Sequence, residues 1–381
     1  MTKLRIAIIT NVIPSYRKDF YRRLIDDDAL ETEVFCQSKI PGMNLNLVHD
    51  ELGDAVTVVP FWSTDRERLA WQRLPFGKIL ESDVIFIYGN PRVLSGLLYS
   101  FLLPILGKTV VIWGQAHTGG ASGILERARL CWWKRFRNIF VYNDCEASYL
   151  RRRGFGSQNI VGMNNGLNQG AIESESGKWD SARLASWQAE NGVANKTVIL
   201  SIARLEAKNR FELFVDSMDA ILESVPNLLW VVIGDGPEKE YLLRYAESRN
   251  LNGNVKWLGS IYEEREIAPW FRTALCLVHP GAIGLSLLHA FGYGLPVVTH
   301  NNEENHMPEF CALTNQVNGL LFTEGDPANC AAQVVKLARD DALRKRLSIG
   351  AIKAARYGFN TGVMAARFRQ MATSASVRAH K

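Results

Sequence analysis

Arg204 and Lys208 stand four residues apart in SIARLEAKNR, at the end of the apolar run TVILSIAR (197–204). One cation at a strand end and one at a helix start can converge on a single anion. Arginine offers a bidentate fork and lysine a point charge, a combination that fits a diphosphate. Taken alone, the pair also reads as ordinary surface charge. Its setting favours the anion. In LVHPGAIGLSLLHAFGYGLPVVTH (277–300), an apolar run ends at His279-Pro280 and a loop holds Gly281 and Gly284. An apolar helix is then expected from about Leu285 to Phe291, with Ser286 in its first turn. Glycine admits close backbone approach, and the free N–H groups and dipole at a helix start favour phosphate. The turn IGDGP (233–237) adds Gly234, Asp235 and Gly236 in the same half. No D-x-D pair follows a strand, and DDD at 26–28 reads as a solvated helix end, so no metal site is expected.

These residues need strands and helices to position them. LRIAIIT (4–10), DVIFIYG (83–89), KTVVIWG (108–114) and NIFVYN (138–143) are short apolar runs closed by polar turns. Helical periodicity fills the gaps, as in 16–25 and 123–135. Apolar strands alternating with helices indicate a parallel sheet covered on both faces. The rhythm restarts with 197–204, LLWVVIGDG (228–236), NVKWLGS (254–260), 275–281 and PVVTH (296–300). The expected class is α/β, two Rossmann-like doubly wound domains in tandem. Their expected spans are 1–168 and 195–360, joined by a polar connection at 169–194. The amphipathic segment GVMAARFRQMATSA (362–375) follows the second domain, and a helix over 362–378 is expected to return to the first. Open α/β sheets bind ligands at the carboxyl ends of their strands, where the cations and the glycine loops fall.

The length of 381 residues allows two domains, and 47% hydrophobic residues suffice for two cores. Six scattered cysteines without a C-x-x-C pair read as reduced thiols rather than as a disulfide framework or a zinc site. The opening MTKLRIAIIT lacks the longer apolar region of a signal peptide, and VLSGLLYSFLLPILG (93–107) is too short to span a bilayer. A cytoplasmic location is expected. Residues 127–153 carry eight basic and two acidic residues. That run reads either as a solvated helix face or as a surface for anionic lipid headgroups or a lipid-linked phosphate. No nucleic-acid motif accompanies it.

SIARLEAKNRFELFVDSM, VVIGDGPEKEYL, VKWLGS and GLSLLHAFGYGLPVVT, in this order, resemble the donor half of family 4 glycosyltransferases of the GT-B fold. The likeness covers about 197–340 and extends more loosely through VIPSYRKDFYRRL, WGQAHTGG, VYNDCEASYLRRRGF and MNNGLN. It implies two domains facing each other across a cleft, and a UDP- or GDP-linked sugar as donor, with no further cofactor. Arg204 and Lys208 would neutralise the leaving diphosphate, with the backbone at Gly284, Leu285 and Ser286 on the same phosphates. The 233–237 turn with Trp257, Leu258 and Gly259 would line the nucleoside pocket, and His117 would lie near the reacting sugar. The family's Glu-x7-Glu signature is replaced by Gly281 and His289. His289 can offer either ring nitrogen to a ribose hydroxyl, and Glu309 in HMPEF is the best candidate for a substitute carboxylate. The resemblance implies retaining, metal-independent transfer to a glycan or lipid-linked acceptor, in cell-surface polysaccharide or lipopolysaccharide synthesis at the inner face of the cytoplasmic membrane. A nucleotide-sugar epimerase and a non-catalytic sugar-nucleotide-binding subunit are the alternatives.

Overall fold

A computed structural model describes residues 3–43, 46–116 and 123–377, apart from the side chains of 65 and 123–125. The chain divides into two compact units, Met1–Asn168 with Thr361–Lys381, and Gln169–Asn360.

The first unit contains β1 (Leu4–Ile9), α1 (Lys18–Ile25), β2 (Leu30–Cys36), β3 (Val56–Val58), β4 (Phe61–Ser63), β5 (Ala70–Gln72) and α2 (Phe76–Leu80). It continues with β6 (Val84–Tyr88), α3 (Leu94–Ile105), β7 (Thr109–Gly114), α4 (Gly123–Trp133), β8 (Asn138–Val141), α5 (Asp144–Arg152) and β9 (Asn159–Gly162). Seven strands form a parallel sheet in the order β3-β2-β1-β6-β7-β8-β9, while β4 and β5 pair as a separate antiparallel hairpin. Strand side chains alternate between two cores, as a sheet covered on both faces requires. Ile6 and Ile8 face Phe20 and Leu24 on one side, and Ala7 and Ile9 join Leu103 and Trp133 on the other. The C-terminal helix Thr361–Val377 packs into the first of these cores through Met364, Phe368, Met371, Ala372 and Ala375, a helical stripe. The Phe368 ring stacks on Phe86 at 4.0 Å and meets Phe140 edge-on at 5.7 Å.

The second unit begins with α6 (Gln169–Gly177) and α7 (Ser181–Glu190). The connection expected at 169–194, polar at first and then weakly helical, is therefore helical over 169–177 and 181–190, and packed. Trp187 sits edge-on between Trp179, at 6.1 Å, and Trp270, at 4.7 Å. The polar run ESESG masks this in the sequence, because the burying partner lies some eighty residues on. Then follow β10 (Thr197–Ile202), α8 (Phe211–Ser224), β11 (Leu228–Ile233), α9 (Lys239–Ser248), β12 (Val255–Gly259) and α10 (Glu264–Thr273). The rest are β13 (Cys276–His279), α11 (Leu285–Gly292), β14 (Val297–His300), β15 (Gly319–Phe322), α12 (Pro327–Arg339) and α13 (Asp341–Tyr357). All six strands are parallel, in the order β12-β11-β10-β13-β14-β15. The order reverses between β10 and β13, so the loops after these two strands flank the crevice where doubly wound sheets hold ligands.

Cys36, Cys131, Cys276 and Cys330 are free thiols.

Candidate active site

The site lies on the carboxyl edge of the second sheet, where backbone hydrogen bonds tie the loops together. Leu205 N donates to Asp235 O at 3.0 Å, Glu238 N to Leu205 O at 3.0 Å, and Gly234 N to Gly259 O at 2.8 Å. Gly234 has φ +147°, and a Cβ there would lie 1.9 Å from Ala203 O, so only glycine fits. Across the switch point, Ala282 N donates to Lys208 O at 3.1 Å. A Cβ on Gly281 would fall 2.2 Å from that same carbonyl oxygen. Position 281 thus cannot hold the glutamate of the family signature unless the loop after β10 moves.

Arg204 and Lys208 flank the crevice and converge on one carboxylate. Arg204 Nε is 3.2 Å from Glu206 Oε1, and Lys208 Nζ is 3.1 Å from Glu206 Oε2. Both cations remain mostly exposed, at 62% and 59%, so they are open to a ligand. Asn209 braces the loop from beneath, its Nδ2 donating to Arg204 O at 2.6 Å. Glu206 escaped the sequence reading, although a carboxylate between two cations in R-L-E-A-K was a visible signal.

On the other side of the crevice, α11 starts at Leu285 after Gly284, whose position provides no side-chain cap. The first-turn N–H groups of Leu285 and Ser286 have no acceptor within their own helix and carry the positive end of its dipole. Glu309 is buried, and its Oε2 would lie 3.6 Å from a Cβ on Gly284. A carboxylate therefore stands beside the helix start, where the dipole favours it. That placement suits a helix-capping role as well as a ligand-facing one.

His289, one turn into α11, does not have both ring nitrogens free. Its Nε2 is 2.8 Å from Glu264 Oε1, and the Tyr293 hydroxyl donates to the same oxygen at 2.5 Å. The ring packs 4.5 Å from Phe271. Burial raises the Glu264 pKa, but the hydrogen bonds from His289 and Tyr293 outweigh it and hold the carboxyl below its usual range. The expectation that either nitrogen is available narrows to Nδ1, with Glu264 as a partner that the sequence did not reveal.

The remaining expected residues lie on the same edge. Asp235 pairs with Lys239 at 2.9 Å and accepts from Gly236 N at 2.8 Å, so its side chain shapes the turn. The Lys239 hydrogen bond, then that of Gly236, lowers its pKa. Trp257 is half-buried on β12, 5.6 Å from Trp230, and is followed by half-buried Leu258 and by Gly259. Behind the loop after β13 lie three histidines. The rings of His300 and His306 stack at 3.8 Å, and His306 Nδ1 accepts from Ile283 N at 3.3 Å. His279 is buried with no hydrogen-bond partner at Nδ1. Burial, with His306 and His300 nearby, drives its pKa down to about 3, and burial with His300 drives His306 to about 4. These rings are neutral supports of the loop. No group of three metal-ligating side chains is found among the described residues. His117 lies outside the described residues.

Residues 185–354 match the family model of glycosyl transferases group 1. The lipopolysaccharide core biosynthesis glycosyltransferase LpsE of Rhizobium meliloti is 23% identical over 155 residues, 41% of this chain and 43% of that protein. The 2-deoxystreptamine N-acetyl-D-glucosaminyltransferase of Niallia circulans is 22% identical over 40% of this chain and 39% of its own length. The matched region thus spans about two fifths of these relatives. Among solved structures, Anabaena Alr3699/HepE in complex with UDP superposes with a TM-score of 0.72 at 16% identity, covering 97% of this chain and 100% of that one. A glycosyltransferase from Rickettsia africae ESF-5 gives 0.73 at 11% identity, over 98% and 99%. The two doubly wound units have the GT-B fold, and the second contains the region that matches the model of glycosyl transferases group 1.

Proposed function

We propose that this chain is a glycosyltransferase that moves a sugar from a nucleoside diphosphate to a glycan or lipid-linked acceptor. The observation that carries the reading is the convergence of Arg204 and Lys208 on one carboxylate, beside the crevice that the α11 start also borders. The Glu206 carboxylate marks a place where two cations hold two oxygens of an anion. A diphosphate presents the same oxygens with more charge. As the bond between the sugar's anomeric carbon and the diphosphate oxygen breaks, negative charge grows on the leaving group. Arg204, Lys208 and the first-turn N–H groups of α11 stabilise that charge without needing a metal. The acceptor hydroxyl supplies the oxygen of the new bond, and its proton passes to the departing diphosphate.

Gly234, Gly236, Trp257, Leu258 and Gly259 line the nucleoside side, and Gly281 lets the phosphate loop pass close to the loop after β10. His289 Nδ1 reads a ribose hydroxyl, while Glu309 sits at the phosphate end. His117 acts near the sugar. HepE has been solved with UDP and with UDP-glucose, which supports a uridine-linked donor. LpsE and LpsD are named for lipopolysaccharide core biosynthesis, which supports a cell-surface glycan as product. Retention of configuration and work at the inner face of the cytoplasmic membrane complete the reading, with the basic run 127–153 near anionic headgroups.

A panel of nucleotide sugars, with and without acceptor glycans, tests it through nucleoside diphosphate release. Acceptor-dependent release that survives EDTA is expected. Isomerised donor without net release would instead show an epimerase, and tight binding without turnover a non-catalytic subunit.

A further inference from the structure

Helix α3 is turned inside out. Its twelve residues include no charge, and the face against the protein carries Ser95, Gly96, Ser100 and Leu103. The outward face carries Leu94, Leu98, Phe101, Leu102 and Ile105, all exposed, Ile105 at 81%. Their spacing is that of one helical stripe. A surface helix normally presents the opposite arrangement, and a contiguous exposed apolar surface marks an interaction site.

The β4–β5 hairpin adjoins the start of this helix and carries exposed aromatic side chains of its own. Trp62 and Trp71 stand directly opposite each other on the two strands and are 57% and 41% exposed. The hairpin is fastened to the start of α3, since Ala70 N donates to Arg92 O at 2.9 Å and Gln72 N to Ser95 Oγ at 3.0 Å. Ala70 and Gln72 point inward, which leaves the tryptophan pair outside with the leucines.

The rim is positive. The Arg135 guanidinium lies over the Phe101 ring at 5.2 Å, and Arg68, Arg73, Arg92 and Lys134 are exposed. Residues 84–125 and 127–143 contain no aspartate or glutamate. In 66–80 the sole carboxylate, Glu67, is buried and accepts from Asn11 at 3.2 Å and Gln37 at 2.9 Å. Leucines for the acyl boundary, tryptophans for the interface and arginines at phosphate height form the pattern of an element lying in the headgroup layer. A second copy fits worse, because a two-fold contact would set the same positive rim against itself.

We propose that α3 and the β4–β5 hairpin form a monotopic docking surface for an anionic bilayer, with the α3 stripe immersed and Arg135 among the lipid phosphates. No helix among the described residues is long and apolar enough to cross a membrane, so this contact lies on one leaflet. It deepens the membrane-face part of the proposed function by adding an apolar surface to the basic run at 127–153, and it does not depend on the transferase activity.

Flotation of the full chain with phosphatidylcholine vesicles, with or without a third of phosphatidylglycerol, tests the proposal. The parent chain should float with the anionic vesicles and only weakly with the neutral ones. Leu98→Ser/Ile105→Ser should lower partitioning about tenfold or more, and Arg135→Gln should lower it on anionic vesicles alone. Ile105→Ser replaces a side chain in open solvent, so an unchanged unfolding temperature would show that the loss is not misfolding. No flotation of the parent chain, or equal flotation of the double variant, would overturn the proposal. So would a dimer, seen by light scattering, that Ile105→Ser dissociates, because it would assign the stripe to a second copy.

Discussion

If the Glu206 carboxylate occupies the place of the donor diphosphate, neutralising it should tighten donor binding. Glu206→Gln keeps the side chain's size and one oxygen but removes the charge shared by Arg204 Nε at 3.2 Å and Lys208 Nζ at 3.1 Å. The three side chains are 62%, 59% and 28% exposed, so solvent screens both pairs. Exposed pairs contribute about 0–1 kcal/mol each. Two pairs that share one carboxylate then cost a ligand about 0.5–1.5 kcal/mol to displace, which corresponds to UDP binding about 2–10-fold tighter in the variant. Isothermal titration with UDP at low salt reads this directly. The gain should shrink at high salt, where exposed charges are screened. Unchanged or weaker binding at low salt would make Glu206 a group that aims the cations rather than one that competes for them.

The other expectations concern the frame of the site. Gly281→Ala should destabilise the second unit by about 1–3 kcal/mol, since its Cβ would lie 2.2 Å from Lys208 O; urea unfolding checks this, and parent-like stability would show that the loop yields freely. Phe368→Ala removes a ring stacked on Phe86 and edge-on to Phe140, and a loss of about 3–5 kcal/mol in thermal or urea unfolding is expected. His279 and His306 have folded pKa values of about 3 and about 4, below the ordinary 6.5. Between 6.5 and those values the unfolded chain binds the extra protons, so stability should fall as pH falls, by up to about 1.4 kcal/mol per pH unit for each ring. His279→Leu should flatten that decline in urea midpoints measured from pH 8 to 5, and an unaltered slope would contradict it. Glu264 also has a depressed folded pKa, here because burial, which raises it, is outweighed by hydrogen bonds that favour its charged form. Its contribution is present above the ordinary carboxylate value and is lost as pH falls through the lower folded one, so Glu264→Gln should lose stability at neutral pH and little in strong acid.

Much of this was legible in the sequence, for physical reasons. Strands such as Val84–Tyr88 and Leu228–Ile233 are buried on both faces, so they read as unbroken apolar runs. The glycine at 281 has a physical reason, because a backbone that passes within contact of Lys208 O leaves no room for a side chain there. What stayed hidden depends on contacts distant in the chain. Trp187 finds Trp270, which turns a polar segment into packed helix. Glu264 meets His289 and Tyr293 from another helix, and no local pattern announces it. The stretch 93–107 was read only for its failure to span a bilayer. Which of its faces meets the sheet is a tertiary fact, and that fact exposes the leucines.

In the proposed function, Arg204 and Lys208 hold a nucleoside diphosphate together with the α11 start. Single-turnover release of UDP from the preferred UDP-sugar, in the parent chain and in Arg204→Ala, tests it most directly. A loss of about 2–4 kcal/mol in transition-state stabilisation is expected, on the order of a hundredfold to a thousandfold in rate. An Arg204→Ala rate equal to the parent's, with the variant folded, would contradict it.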